Sequence, residues 1–239
     1  MAKGTSNKPF VKTTLSEQTY EALKERIFDQ TLQAGERLNI GRLSKELDVS
    51  SSPIREALAR LEAERLVVSE HYAGYSVAPQ PDLDYLHQLL DFRILIEGHC
   101  ARIGASKKRK PVLQSLRQTL QIMADTPKIG TKYREYRRFI LADGRFHQAL
   151  VESAESSVIS DLYASLHVII LQSRLYLKRE GGSISSDAVV DEHARILHAF
   201  EEGDGEAAAE AVRHHLESGR RRLLQSAERA AEAERAASA

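Results

Sequence analysis

The sequence predicts a mostly α-helical protein in two parts: three short helices with a β-hairpin, then an all-α antiparallel helical bundle. Three observations carry this. Apolar residues recur at helical spacing almost everywhere after residue 82. Strand-like patterning is confined to LVVSE (66–70) and GYSVAP (74–79). Between the parts stands PQPD (79–82), whose two prolines interrupt regular structure and whose Asp82 can cap the next helix.

In the first part, Tyr20, Leu23 and Ile27 predict a helix over 15–31, and AGERL (34–38) reads as a turn. Ile40, Leu43 and Leu47 mark a short second helix that ends at Asp48 and Val49. The third begins in VSSSPIREALARLEAERL (49–66). There Ile54, Ala57, Leu58 and Leu61 form one buried face, while Ser51 or Ser52, Arg55 and Ala59 share another. Ser50 or Ser52 can cap the first free N–H groups, and Pro53 is harmless in a first turn that lacks acceptors. Short hydroxyls and helix-terminal N–H groups suit phosphate, and Arg55 suits the two-pronged edge of a guanine. A capped surface helix with an ordinary exposed arginine would look the same in isolation. The context favours DNA, because two short helices, a turn, a third helix and a hairpin compose a winged helix-turn-helix.

Composition narrows the alternatives. Lys+Arg and Asp+Glu are equal at 34 each, and the first 80 residues are themselves balanced. Nucleic-acid binding therefore has to come from local charge placement. The one concentrated positive stretch holds Lys3, Lys8 and Lys12, with no acid before Glu17. The single cysteine, Cys100, excludes an internal disulfide and a cysteine-based zinc site and fits a reducing compartment. No apolar run approaches the ~20 residues of a membrane span, and no signal-peptide segment is visible. The expected location is the cytoplasm.

In the second part the expected helices are 82–106, 109–126, 131–154, 156–179, 185–202 and 204–225, joined by turns such as REGGS (179–183) and EEGDG (201–205). The expected domains are 13–79 and 82–225, followed by a low-complexity tail at 226–239 that either extends the last helix or frays.

The bundle carries a polar set on faces that should point inward. Asp143 and His147 lie four apart on the face of Phe139, Phe146, Leu150 and Val151. His193 shares a face with Val189, Ile196, Leu197 and Phe200, and His215 continues the line of Ala208, Ala211, Val212 and Leu216. His214 points about 100° away. Burying one carboxylate and three imidazoles without partners is costly. A divalent metal would satisfy all four, with room in an octahedral shell for water or a ligand's oxygens. Separate core histidines, each bonded to a carbonyl, are the simpler alternative; four coincident inward placements favour the metal. Arg93, on the face of Leu86, Leu89 and Leu90, either pairs with Glu97 or clamps an effector carboxylate, and Arg174 is a second candidate for that work. His87, His99, His167 and His198 read as surface or packing residues.

Two resemblances sharpen these expectations. Residues 13–79 resemble the GntR family of bacterial transcription regulators, through Val49-Ser50-Ser51-Ser52-Pro53-Ile54-Arg55-Glu56-Ala57-Leu58 and Gly74-Tyr75-Ser76-Val77. The resemblance implies DNA-facing roles for Arg42, Ser50, Ser51, Ser52, Arg55, Tyr72 and Gly74. The chain departs from the family at Ser51, where arginine is common, and at Arg65, where glycine is common. Residues 83–225 are similar to the FCD ligand-sensing domain of the FadR subfamily, through Arg93-x-x-x-Glu97, Asp143-x-x-Phe146-His147, Glu192-His193-x-x-Ile196, Gly203-Asp204 and His215-Leu216. That likeness implies a metal ion on Asp143, His147, His193 and His215 (zinc, nickel or manganese) beside a small carboxylate effector.

The expectation is therefore a homodimeric regulator that binds a DNA operator and whose effector, bound at the metal, modulates that binding. The alternatives are a metal-dependent hydrolase or a regulator whose metal is purely structural. Against the hydrolase, no nucleophile or general base stands beside the ligands, and the chain has no Walker-type phosphate loop and no Glu-x-x-His pair.

Overall fold

The computed structural model describes residues 14–70, 74–126, 132–166 and 186–237. The chain divides into two compact units, Met1–Pro79 and Gln80–Ala239.

In the first unit, α1 (Leu15–Phe28) starts at Thr14, whose hydroxyl accepts the Glu17 N–H at 3.1 Å. It stops three residues short of the expected end. Gln30 turns left-handed at φ 58°, and the Thr31 and Leu32 N–H groups fold back onto the Arg26 carbonyl. The turn expected at 34–38 holds a short strand, β1 (Arg37–Leu38), which buries Leu38 and exposes Arg37. Two residues are too few for a period to be visible in the sequence. Asn39 caps α2 (Ile40–Leu47), and left-handed Asp48 ends it.

Next comes α3 (Ser51–Ala63), with Ser50 at its N-cap making no side-chain cap bond. Its end is a Schellman closure: Arg65 N–H donates to the Glu62 carbonyl and Leu66 N–H to that of Leu61, with Arg65 at φ 56°. Strands β2 (Val67–Glu70) and β3 (Gly74–Val77) pair antiparallel with Val67 opposite Val77. β1 adds to the far side of β3, giving the order β1-β3-β2. Leu23, Leu43, Ile54, Leu58 and Leu61 have no exposed surface, and each contributes about 1.5–3 kcal/mol by burial.

The second unit is all helical among the described residues: α4 (Leu83–Ser106), α5 (Lys110–Ala124), α6 (Tyr133–Glu152), α7 (Ser157–Ala164), α8 (Ser186–Glu202) and α9 (Gly205–Ala237). Asp82 caps α4 by accepting the Tyr85 N–H at 2.7 Å. α4 packs along α9 and across α6, while α5 lies on α6 and α8. Two glycines permit close approaches between helices. A Cβ at Gly104 would stand 1.7 Å from Ser153 Oγ, and one at Gly205 would stand 2.3 Å from the Arg102 carbonyl oxygen.

Two boundaries in the second unit bear on the expected helices. The helix expected over 156–179 is described only as far as residue 166, and α7 ends at Ala164. Of the two outcomes expected for the tail the helix extends: α9 runs past 225 to Ala237, because its alanines, glutamates and arginines are strong helix formers. No described helix is long and apolar enough to cross a membrane.

Candidate functional site

Three helices aim four polar side chains at one point. α6 supplies Asp143 and His147, α8 supplies His193 and α9 supplies His215, all 5% exposed or less. The periodicity that buries Phe146 and Leu150 on α6, Ile196 on α8 and Val212 on α9 buries these residues as well. One potential ligand atom from each lies within 4.8 Å of all the others. His193 Nε2 is 3.3 Å from His147 Nε2 and 3.4 Å from Asp143 Oδ1.

The outer hydrogen bonds fix which nitrogen carries the proton. His193 Nδ1 lies 2.7 Å from the Val189 carbonyl, which can only accept, so Nδ1 is the donor. His147 Nδ1 lies 2.7 Å from Glu97 Oε2, and His215 Nδ1 lies 2.8 Å from Glu192 Oε2. Both carboxylates are ionised. Burial favours the neutral acid, but Arg93 and His147 hold Glu97 down at about 2, and His215 and Arg222 do the same for Glu192. Each ring therefore engages its outer partner through Nδ1 and directs Nε2 inward. Burial also lowers the His193 pKa well below the usual value and lowers that of His215, which keeps those rings neutral.

Three lone pairs and a carboxylate oxygen thus converge, and the group could hold a divalent cation. Donors held roughly 2.1 Å from one ion stand about 3.0–3.4 Å apart at adjacent corners. The 3.3 Å and 3.4 Å spacings from His193 Nε2 match that edge.

In the first unit, Ser51, Ser52, Arg55 and Ala59 are exposed along one side of α3, opposite buried Ile54, Ala57, Leu58 and Leu61. Ser50 is also exposed, as is Gly74, which adopts φ 85° at the start of β3. Arg42 is exposed but engaged: its guanidinium lies 2.7 Å from Glu36 Oε1 and 3.5 Å from Glu46 Oε1. Tyr72 lies outside the described residues.

Residues 88–218 match the FCD domain, and residues 15–77 match the bacterial regulatory proteins of the gntR family. The chain belongs to the GntR family and carries an FCD domain. This GntR regulator is 27% identical over 201 residues to the uncharacterised HTH-type transcriptional regulator YdhC of Bacillus subtilis, covering 83% of this chain and 86% of that one. It is 24% identical over 187 residues to the gluconate operon transcriptional repressor of Bacillus subtilis, covering 76% and 74%. A solved GntR regulator from a Rhodococcus species superposes with a TM-score of 0.63 at 23% identity, over 88% of this chain and 97% of that one, a likeness of fold. Domains and relatives alike are transcriptional regulators, not enzymes.

Around the GntR regulator's four convergent residues lies a set of partners, of which the sequence suggested only the Arg93–Glu97 pair. Glu97 pairs with Arg93 (Nε to Oε1, 2.6 Å), accepts the Tyr163 hydroxyl at 2.7 Å and orients His147. Glu192 orients His215 and is gripped by Arg222. For Arg93, pairing with Glu97 is thus realised, yet Arg93 Nη2 stays buried without a hydrogen-bond partner among the described residues. Tyr163, Arg222 and the roles of Glu97 and Glu192 toward the histidines escape sequence reasoning; the only signal was Glu192 beside His193. Arg174 and His167 lie outside the described residues. His99, His198 and His214 are exposed and His87 is half-buried.

Proposed function

We propose that the regulator senses a small carboxylate at a metal centre formed by Asp143, His147, His193 and His215, and that effector binding modulates its hold on operator DNA. The observation that carries this is the convergence of three imidazole lone pairs and a carboxylate oxygen in a buried site. Zinc suits the nitrogen-rich donor set, with nickel or manganese as alternatives. A bound divalent ion supplies Lewis-acid positions for effector oxygens.

Charge accounting supports an anionic effector. Glu97 with Arg93, and Glu192 with Arg222, are self-neutralising pairs. A dication beside Asp143 then leaves the centre with surplus positive charge, which a carboxylate cancels. Arg93 Nη2 is a spare buried donor for the same anion, and Arg174 is a further candidate. The gluconate operon relative is named for an organic acid, in keeping with this class.

For DNA, we assign Ser50, Ser51 and Ser52 to phosphate and Arg55 to a base edge, a reading supported by the exposure of all four, with Gly74 and, by sequence alone, Tyr72 as further candidates for backbone contact. Arg42 contributes less, because Glu36 and Glu46 already hold its guanidinium. GntR-family regulators are typically dimers, and we assign this chain the same state on a two-fold operator. Coupling between effector and operator is reciprocal in free energy.

The test combines elemental analysis of the purified protein with a thermal-shift screen of small carboxylates. A stoichiometric metal and further stabilisation by one carboxylate class are expected. Stabilisation by metal with no response to any carboxylate would reduce the centre to a structural staple. The DNA half is tested by anisotropy on the protein's own promoter.

A further inference from the structure

We infer that Arg222 is a positioning residue of the metal centre, orienting the His215 ring through the carboxylate of Glu192; this rests on the metal reading above. Arg222 Nη1 lies 2.7 Å from Glu192 Oε1 and Nη2 lies 2.9 Å from Oε2, a two-pronged grip that sets the plane of the carboxylate. The same Oε2 accepts the His215 Nδ1 proton at 2.8 Å. The orientation of the carboxylate therefore sets the rotation of the ring, and the rotation sets where His215 Nε2 points.

The three histidines are held in different ways. His193 is tied to a carbonyl of its own helix, so α8 alone orients it. His147 is held by Glu97, which Arg93 and Tyr163 fix in turn. For His215 the carboxylate comes from α8, while its anchor comes from α9, seven residues beyond the histidine. Arg222 sits at the rim, with its side chain 30% exposed against 8% for Glu192. Without the fork, the Glu192 carboxylate is free to turn toward solvent, and the His215 ring loses its stop.

The experiment compares full-length wild type with Arg222→Gln and Arg222→Lys. Zn²⁺ affinity is measured by competition with a chromophoric chelator, and Co²⁺ loading is followed by visible absorption. Arg222→Gln is expected to weaken Zn²⁺ binding roughly 10–100-fold and to alter the Co²⁺ spectrum, with partial recovery in Arg222→Lys. Wild-type affinity and spectrum in Arg222→Gln overturn the inference while leaving the metal reading intact. A wild type that takes up neither ion overturns both. If Arg222→Gln fails to fold because Glu192 is left unpaired, the double variant Glu192→Gln/Arg222→Met removes both charges. It is expected to fold and still bind Zn²⁺ roughly 10–100-fold more weakly, and wild-type affinity there overturns the inference equally.

Discussion

His193 Nε2 faces His147 Nε2 at 3.3 Å while Nδ1 of each ring is engaged outward, by the Val189 carbonyl and by Glu97. Two lone pairs at that distance repel unless a proton or a cation lies between them. Burial disfavours the proton on His193. A divalent ion resolves the conflict without breaking any outer hydrogen bond. Metal at about 100 times its Kd is therefore expected to stabilise the protein by about 2.7 kcal/mol, with a rise in Tm that chelator reverses. His193→Ala should abolish that rise, and a metal response unchanged in this variant would refute the assigned centre.

The metal-free protein should lose stability in acid in two windows. His193 and His215 have folded pKa values depressed below 6.5, so the unfolded chain binds protons first and stability falls as pH drops below 6.5. Glu97 and Glu192 have folded values near 2 against 4.5, so their contribution is present above pH 4.5 and is lost as pH falls toward 2. Thermal melts of chelated protein from pH 8 to 3 measure this. A flat profile between pH 7 and 5 would contradict the buried, neutral state of the two imidazoles.

Arg65 occupies the left-handed position that closes α3, where a side chain costs energy that glycine avoids. Arg65→Gly is expected to stabilise the protein by on the order of 0.5–1 kcal/mol, and Arg65→Val to destabilise it. Urea unfolding checks both signs.

Arg55 and Arg42 should behave differently on DNA. Arg55→Ala is expected to weaken operator binding by about 1–3 kcal/mol and to relax preference at one base position. Arg42→Ala should cost less, since its charge is already shared by Glu36 and Glu46. Equal losses in anisotropy titrations would place Arg42 on a base edge too.

Cys100 is fully buried, and burial, with Glu97 nearby, pushes its thiol up to about 11. Against the ordinary 9.0 its thiolate population falls roughly 100-fold. It should resist a thiol reagent at pH 8 in the folded protein and react promptly in urea. Rapid reaction of the native state would show that α4 opens locally.

Much of this was legible in the chain because helical periodicity is a local property. The inward faces of α6, α8 and α9 follow from their apolar residues, so Asp143, His147, His193 and His215 could be singled out as buried without knowing how the helices meet. The departure from glycine at Arg65 was visible by resemblance, and the structure puts that residue at the left-handed end of α3. β1 was not visible: Arg37 and Leu38 are strand only because β3 lies beside them.

What separates the two kinds of knowledge is range. The sequence by itself determined most of the helices, their buried faces and the hairpin strands, each set by neighbours within one or two turns. Tertiary structure alone decided that Glu97 meets His147, that Arg222 grips Glu192 beside His215, and that Glu36 takes up Arg42. Those contacts depend on how helices and loops pack and rotate against one another, which side-chain volumes across the whole core settle together.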